Sequence, residues 1–279
     1  MLSISRISLL LLLILSLDVN TLTAQHLPSG AEAAGLGFAN VAMKGKMATW
    51  GNAAGLSEIH NQQLLAGYEN RYGMAEGLHS LQAGFIQPFQ QNVAAITLYR
   101  LGDELYSLHK LSLSLGHKVG QFSGGLRLSQ HQLSMEGADT RYALSIDAGA
   151  IAKLSSQLDA GIQISNISQA KVSKQTGERI PTSLAVGFNY HPDQNLRVLG
   201  ELFYELERAP VVKVGLEYMP LKYVAFRSGI NAGEQTLLFI GLGLRHRIIH
   251  IDYALETHPL LGMSQHIGLA YQLQQNAKK

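Results

Sequence analysis

Oily and polar residues alternate along most of this chain. From Gln63 onward the dominant period is two, the period of a β-strand with one apolar face. Leu238, Ile240, Leu242 and Leu244 share a face, with Gly241 and Gly243 opposite. Ile249, Ile251, Tyr253 and Leu255 alternate with His250, Asp252, Ala254 and Glu256. Val198, Leu202, Tyr204 and Leu206 alternate with Arg197, Glu201, Phe203 and Glu205, and Val212, Val214, Leu216 and Tyr218 with Lys213, Gly215 and Glu217. In each segment the second face carries glycine, serine, glutamine or charge.

About fourteen such segments can be counted, each near the ~9–11 residues that a tilted strand needs to cross a bilayer. They begin near Gln63, Leu78, Asn92, Leu105, Gln121, Arg141, Gln157, Thr182, Leu196, Val211, Tyr223, Thr236, Arg247 and Ser264. The fourth loses register between Leu108 and Leu111, which predicts a bulge. Connections after even segments (88–91, 118–120, 191–195, 219–222) are tight. Those after odd segments (132–140, 166–181, 231–235, 257–263) are mostly longer. Outer-membrane barrels show that asymmetry, with short periplasmic turns and longer external loops. The fold class expected is all-β: a transmembrane antiparallel β-barrel of about 14 strands. The rival is a soluble secreted β-protein, whose wet face would be rich in Lys, Glu and Thr. Here that face is largely small, as suits a narrow barrel interior. Tyr72, Tyr99, Tyr106, Tyr142, Tyr190 and Tyr218 fall near strand ends, where an aromatic belt would meet lipid headgroups.

Composition narrows the class further. Charged residues make up only 15% of the chain, against ~25% in soluble domains. A net charge of +2 implies no general attraction to nucleic acid. The absence of cysteine excludes a disulfide scaffold, a thiolate metal site and a cysteine nucleophile. Arg6, the apolar run from Leu9 to Leu17 and the small-residue site ending at Ala24 read as a cleaved signal peptide, which implies export. The expected organisation is a signal peptide over 1–24, a separate segment over 25–61, a barrel over 62–274 and a tail over 275–279.

Residues 25–61 do not alternate and are crowded with glycine and alanine. The stretch Gly30-Ala-Glu-Ala-Ala-Gly35-Leu-Gly37-Phe-Ala-Asn40-Val-Ala42, followed by Asn52-Ala-Ala-Gly55-Leu56, resembles the N-terminal signature of the PorV/PorQ family, within the wider FadL-like outer-membrane proteins. Two departures stand out. Ala53 replaces the usual proline, and Lys44-Gly-Lys46 replaces an acidic pair. The resemblance implies a plug folded into the lumen, with Gly35, Gly37, Asn40, Asn52, Gly55 and Leu56 as its signature and Asn52 pinning a turn. It also implies a non-enzymatic role as partner or shuttle for exported proteins, alongside type IX secretion components. FadL-like relatives instead imply passive passage of hydrophobic solutes. The lysine change argues against any role that needs an acidic plug.

Little else points to chemistry. Gly35-Leu-Gly37 lacks the third glycine and the βαβ setting of a dinucleotide fingerprint. The 11 histidines show no metal-ligand spacing; His250 faces the lumen with Asp252, while His258 and His266 flank an external loop and are expected to be solvated. No cofactor, metal or catalytic residue is expected. Arg197, Glu201, Glu205, Lys213, Glu217 and Asp252 lie on inward faces. They read as a lumen ion-pair network, or alternatively a selectivity ring. Lys171, Lys174 and Arg179 make the longest loop basic, and mark it as the expected external contact site, with a solvated loop as the plain alternative. Expected partners are outer-membrane lipid, secretion components or cargo, or a hydrophobic solute.

Overall fold

A computed structural model describes residues 30–73, 78–172 and 179–273. The expected signal peptide over 1–24, Lys174 and the expected tail over 275–279 lie outside the described residues. Fourteen strands form one closed antiparallel barrel, each paired with its sequence neighbours and β1 paired with β14. They are β1 (Gln63–Asn70), β2 (His79–Phe89), β3 (Asn92–Gly102), β4 (Tyr106–Val119), β5 (Phe122–Met135), β6 (Arg141–Lys153) and β7 (Leu158–Ser165). The circle is completed by β8 (Ser183–Tyr190), β9 (Leu196–Glu205), β10 (Val211–Leu221), β11 (Val224–Ala232), β12 (Thr236–His246), β13 (Ile249–His258) and β14 (Gly262–Gln272).

Alternation sets the two faces of the wall. On β4, Leu111, Leu113 and Leu115 are exposed, while Ser112 and Ser114 are buried. The same division on β12 puts Leu238, Ile240, Leu242 and Leu244 outside, and Leu237 and Phe239 inside. An exposed apolar belt of this kind has no stable state in water and suits lipid. Connections at the end that holds Gln63 and Gln272 are short: 90–91, 120–121, 154–157, 191–195, 222–223 and 247–248. We call this the turn end. At the loop end the connections are 71–78, 103–105, 136–140, 166–182, 206–210, 233–235 and 259–261.

Three expectations need correction. No bulge interrupts β4: its pairing runs without a shift from Ser107 through His117 against β3. Leu108 simply faces inward, near the loop end, so its apolar character mimicked a change of register. The shift lies instead in β10, between Tyr218 and Leu221. Second, Tyr142, Tyr190 and Tyr218 face outward, but Tyr99 is buried in the lumen. Third, His266 is buried rather than solvated, between Glu256 (3.3 Å) and Glu69 (3.9 Å).

Residues 30–61 lie inside the ring. Helix α1 (Gly30–Gly35) touches β11 to β14, and two 3₁₀ turns (Lys46–Thr49 and Ala53–Glu58) follow, the second against β3 to β6. The barrel wall is uneven around this inner segment. β4, β5 and β6 are 13 or 14 residues long, whereas β7 has 8. Pairing of β6 with β7 covers only Ala148 to Lys153. Above it the 166–182 loop takes over, with Ile167 N–H donating to the Ile146 carbonyl at 2.8 Å and Asn166 N–H to Asp147 at 2.8 Å.

The apolar belt gives a direct test. Leu113→Arg on the outer face should destabilise insertion into lipid vesicles by about 2–4 kcal/mol. The check is a urea titration of the vesicle-folded protein. A shift no larger than that of an exposed loop substitution such as Glu207→Arg would contradict the assignment of faces.

Candidate functional site: the segment inside the barrel

The inner segment approaches the wall more closely than side chains allow, and the wall answers with glycine. In one layer, Gly116, Gly125 and Gly149 are register partners on β4, β5 and β6, and Gly215 pairs with Gly229 on β10 and β11. A Cβ at Gly215 would stand 2.6 Å from the Leu36 carbonyl oxygen, one at Gly116 2.8 Å from the Ala53 carbonyl and one at Gly161 2.5 Å from the Val41 carbonyl. At Gly125 it would fall on Ala54 N, at Gly229 on Gly37 N and at Gly149 on the Asn52 amide. Gly37 is constrained twice, by this contact and by its φ of 63° at the turn that ends α1.

Polar contacts then fix the segment's register. Asn52 accepts from Ala54 N–H at 3.1 Å, and its amide nitrogen donates to the carbonyls of Val41 (2.8 Å), Ile162 (3.2 Å) and Ala150 (3.3 Å). One side chain thus joins both halves of the segment to two strands. Glu201 accepts the backbone N–H groups of Asn40 and Val41, both at 2.8 Å, and pairs with Lys213 at 2.7 Å. Lys213 also lies 4.2 Å from the Phe203 ring centroid. On the opposite wall Arg127 donates to three successive carbonyls, Ala48 (3.0 Å), Thr49 (3.0 Å) and Trp50 (3.1 Å). Gly55 closes the segment on itself, accepting from Gly45 N–H at 3.0 Å, and Leu56 is fully buried.

The strongest charge cluster lies at the turn end. Arg227 on β11 reaches Glu217 at 2.7 Å and Asp252 at 2.8 Å, all three buried. From the inner segment, Lys46 pairs with Glu32 at 2.8 Å and with Asp252. Arg197 and Arg245 lie 3.5 and 3.4 Å from Glu217, and 3.8 and 3.7 Å from Glu32. Burial pushes the Glu32 carboxyl up, but Lys46 and then Arg227, Arg245 and Arg197 override it and hold it well below the carboxylate range. Burial pushes Lys46 down, and Glu32 and Asp252 hold it above the ordinary ammonium value.

Several residues singled out in the sequence thus meet here and others do not. Arg197, Glu217 and Asp252 share the turn-end cluster, while Glu201 and Lys213 form a separate pair. Glu205 belongs to neither: it lies at the loop end of β9 and pairs with Arg208 at 2.9 Å. Its face was inward, but its height along the strand was wrong for the network. Lys171 and Arg179 pair by a backbone bridge at the base of the long loop. Sequence reasoning missed Glu32, Lys46, Arg227 and Arg245 as cluster members. Arg227 and Arg245 could have been found, since Phe226, Ile230, Leu242 and Leu244 fix the outer face of their strands. Glu32 and Lys46 lie where no period exists to orient them. Among the described residues no group of His, Cys, Asp and Glu forms a metal site.

Comparison with known proteins gives one kind of match. No protein-family profile matches the chain, and no curated protein sequence does. Solved structures do match in fold. The Ralstonia pickettii toluene transporter TbuX aligns with a TM-score of 0.67 at 12% identity, over 88% of this chain and 98% of the other. The Pseudomonas putida toluene transporter TodX gives 0.68 at 10% identity, over 88% and 99%. A Pseudomonas aeruginosa FadL homologue gives 0.60 at 12%, over 88% and 98%. The likeness is one of fold, a closed antiparallel β-barrel shared with these proteins.

Two predictions follow from the contacts. Arg227→Met should destabilise the protein by about 3–5 kcal/mol, because it leaves buried carboxylates without their cation. The check is denaturant unfolding; a loss under about 1 kcal/mol would show the cluster to be solvated. The second concerns pH. The depressed Glu32 contributes stability that is complete above about 4.3, the ordinary glutamate value, and is lost as pH falls through its folded value. The raised Lys46 contributes stability that is complete below about 10.4 and is lost as pH rises further. Trp50, the single tryptophan, sits buried in the segment and should keep its emission maximum between those limits. A red shift centred near neutral pH would contradict this.

Proposed function

We propose that this protein is an outer-membrane barrel, reached through a cleaved signal peptide, that passes small hydrophobic molecules and catalyses no reaction. The observation that carries the reading is the closed fourteen-strand ring with residues 30–61 inside it, in a fold shared with two toluene transporters over 88% of this chain. The lumen supports it on the loop side of the inner segment. Leu101, Leu133, Leu237 and Phe239 face inward there, and Phe38 meets Phe239 edge to face at 5.4 Å between centroids. An apolar solute arriving from the loop end would meet these side chains beside the Glu69–Arg71 and Glu256–His266 pairs. The inner segment then bars the way, and passage requires it to shift. Its contacts are hydrogen bonds, ion pairs and close packing, which such a movement can break and remake.

A second reading keeps the barrel and drops the conduit. The resemblance of 30–56 to the PorV/PorQ signature suggests a partner or shuttle in type IX protein secretion. The tight filling of the lumen favours it. Of the two best-formed cavities among the described residues, the larger holds about 30 Å³, too little for an aromatic ring.

Solute uptake separates the two. Vesicles carrying the full-length barrel should take up toluene several-fold faster than vesicles carrying an unrelated barrel of equal strand number. Gly125→Val, which forces the inner segment off β5, should change that rate while the barrel still forms. Uptake equal to the control, together with co-purification of exported proteins from outer membranes, would favour the secretion reading.

A further inference from the structure

The outer face of the wall carries almost no charge. Among the described strand residues, Arg100 on β3 is the one Arg, Lys, Asp or Glu on the outward face. Its chain neighbours Tyr99 and Leu101 are buried in the lumen, and it stands in line with the exposed Ile96 and Leu98.

Register surrounds Arg100 with polar groups. It lies beside His109 of β4, His109 beside Gln132 of β5, and Gln132 beside Tyr142 of β6. All are outward positions: His109 is in line with Leu111 and Leu113, Gln132 with Leu128, and Tyr142 with Leu144. Arg100, His109 and Gln132 make no side-chain hydrogen bond or ion pair among the described residues. Elsewhere the outer face is built mainly of leucine, isoleucine, valine and aromatic rings, as on β10 and β12.

The height of this row matters as much as its content. Arg100 is two residues from the loop end of β3, and Tyr142 one residue into β6. Immediately toward the middle of the wall come Leu98, Leu111 and Leu144, with Gln130 among them. On the other side stand Ser107 and Ser134, in register. The row therefore marks the edge of the oily belt, where headgroups begin. The nearest carboxylates in the chain, Asp103, Glu104, Glu136 and Asp139, belong to the loops above it, and Asp103 already accepts the N–H groups of Leu105 and Tyr106. An anion is drawn to the row and repelled from beyond it.

The donors fit one kind of anion. A guanidinium keeps its charge at any working pH, and its planar fork matches two phosphate oxygens. Cross-strand neighbours stand about 5 Å apart, so an arginine, an imidazole and an amide on three adjacent strands can converge on one tetrahedral group. The leucines beneath suit hydrocarbon chains, which a free ion does not have.

We propose that Arg100, His109 and Gln132 bind the phosphate of an outer-leaflet lipid, a phosphorylated glycolipid whose acyl chains lie along Leu98, Leu111 and Leu113. Gln130 and the Tyr142 hydroxyl lie within the same patch to meet its sugar hydroxyls. The proposal rests on the placement of the barrel in an outer membrane and is independent of what the lumen does.

The test is a titration of lipid A carrying two phosphates into the full-length protein in neutral detergent, with bound lipid counted by native mass spectrometry. Lipid A stripped of phosphate should bind at least tenfold more weakly. Arg100→Gln should weaken lipid A roughly tenfold, the worth of a charged hydrogen bond, and leave the stripped lipid unchanged. Arg100→Lys should recover only part, since a point charge lacks the fork. His109→Leu, which suits the outer face, should weaken lipid A several-fold and covers the case in which the Arg100 variants fail to fold. Lys222→Gln, at an exposed cation of the turn end, should change nothing. Lipid A binding within twofold of the parent in Arg100→Gln, or in His109→Leu should the first not fold, would overturn the site, as would an equal loss in Lys222→Gln. Displacement of lipid A by an equal concentration of inorganic phosphate would overturn the lipid as its occupant. Failure of the membrane placement looks different: the parent protein would then stay out of lipid vesicles altogether.

Discussion

A strand ring of this size can hold a folded segment only if backbone meets backbone at the contact layer. That steric condition underlies the rest of the structure. Gly116, Gly125, Gly149, Gly161, Gly215 and Gly229 meet it from the wall, and the small residues of α1 and of 52–55 meet it from within. A single methyl group at these points would collide with a peptide atom or, at Gly149, with the Asn52 side-chain amide. Close packing of this kind tolerates little change of volume, so the segment has one fit and not many.

Close contact removes water, and the polar groups must then find partners inside. The ion pairs follow from that need. Arg227 lies between Glu217 and Asp252, and Lys46 between Asp252 and Glu32, so a chain of alternating charge joins β10, β11 and β13 to the inner segment. Such a network adds little net energy over an apolar core, but a misplaced segment would strand its charges. Here the network specifies position while the glycine contacts supply fit. Lys44 is matched by Asp159 at 2.7 Å, and Lys46 by Glu32 and Asp252.

The strands were legible in the sequence because lipid outside and packed polar groups inside impose a strict period of two. Every predicted segment corresponds to an observed strand. The errors have local causes. Leu108 and Tyr99 are large residues that face inward near the loop end, so their character suggested the opposite face. Glu205 sat on the correct face at the wrong height. Period reports which side a residue is on, and says nothing about which layer it occupies. The site was less legible for a second reason. Residues 30–61 have no regular period, and their partners lie more than a hundred positions away, as Asn40 with Glu201 and Lys46 with Asp252 do.

The seam between β1 and β14 joins Gln63 to Gln272. Bringing two such distant points together is an entropic burden that grows slowly with the length of chain between them. The inner segment immediately precedes β1, and Ala31 sits against Gly268 of β14 while Leu56 sits against Gly116 of β4. Packed against β14 and β4 at once, it spans the seam from inside and holds β1 close to its distant partner. In this molecule the filling is also the scaffold on which the ring can close.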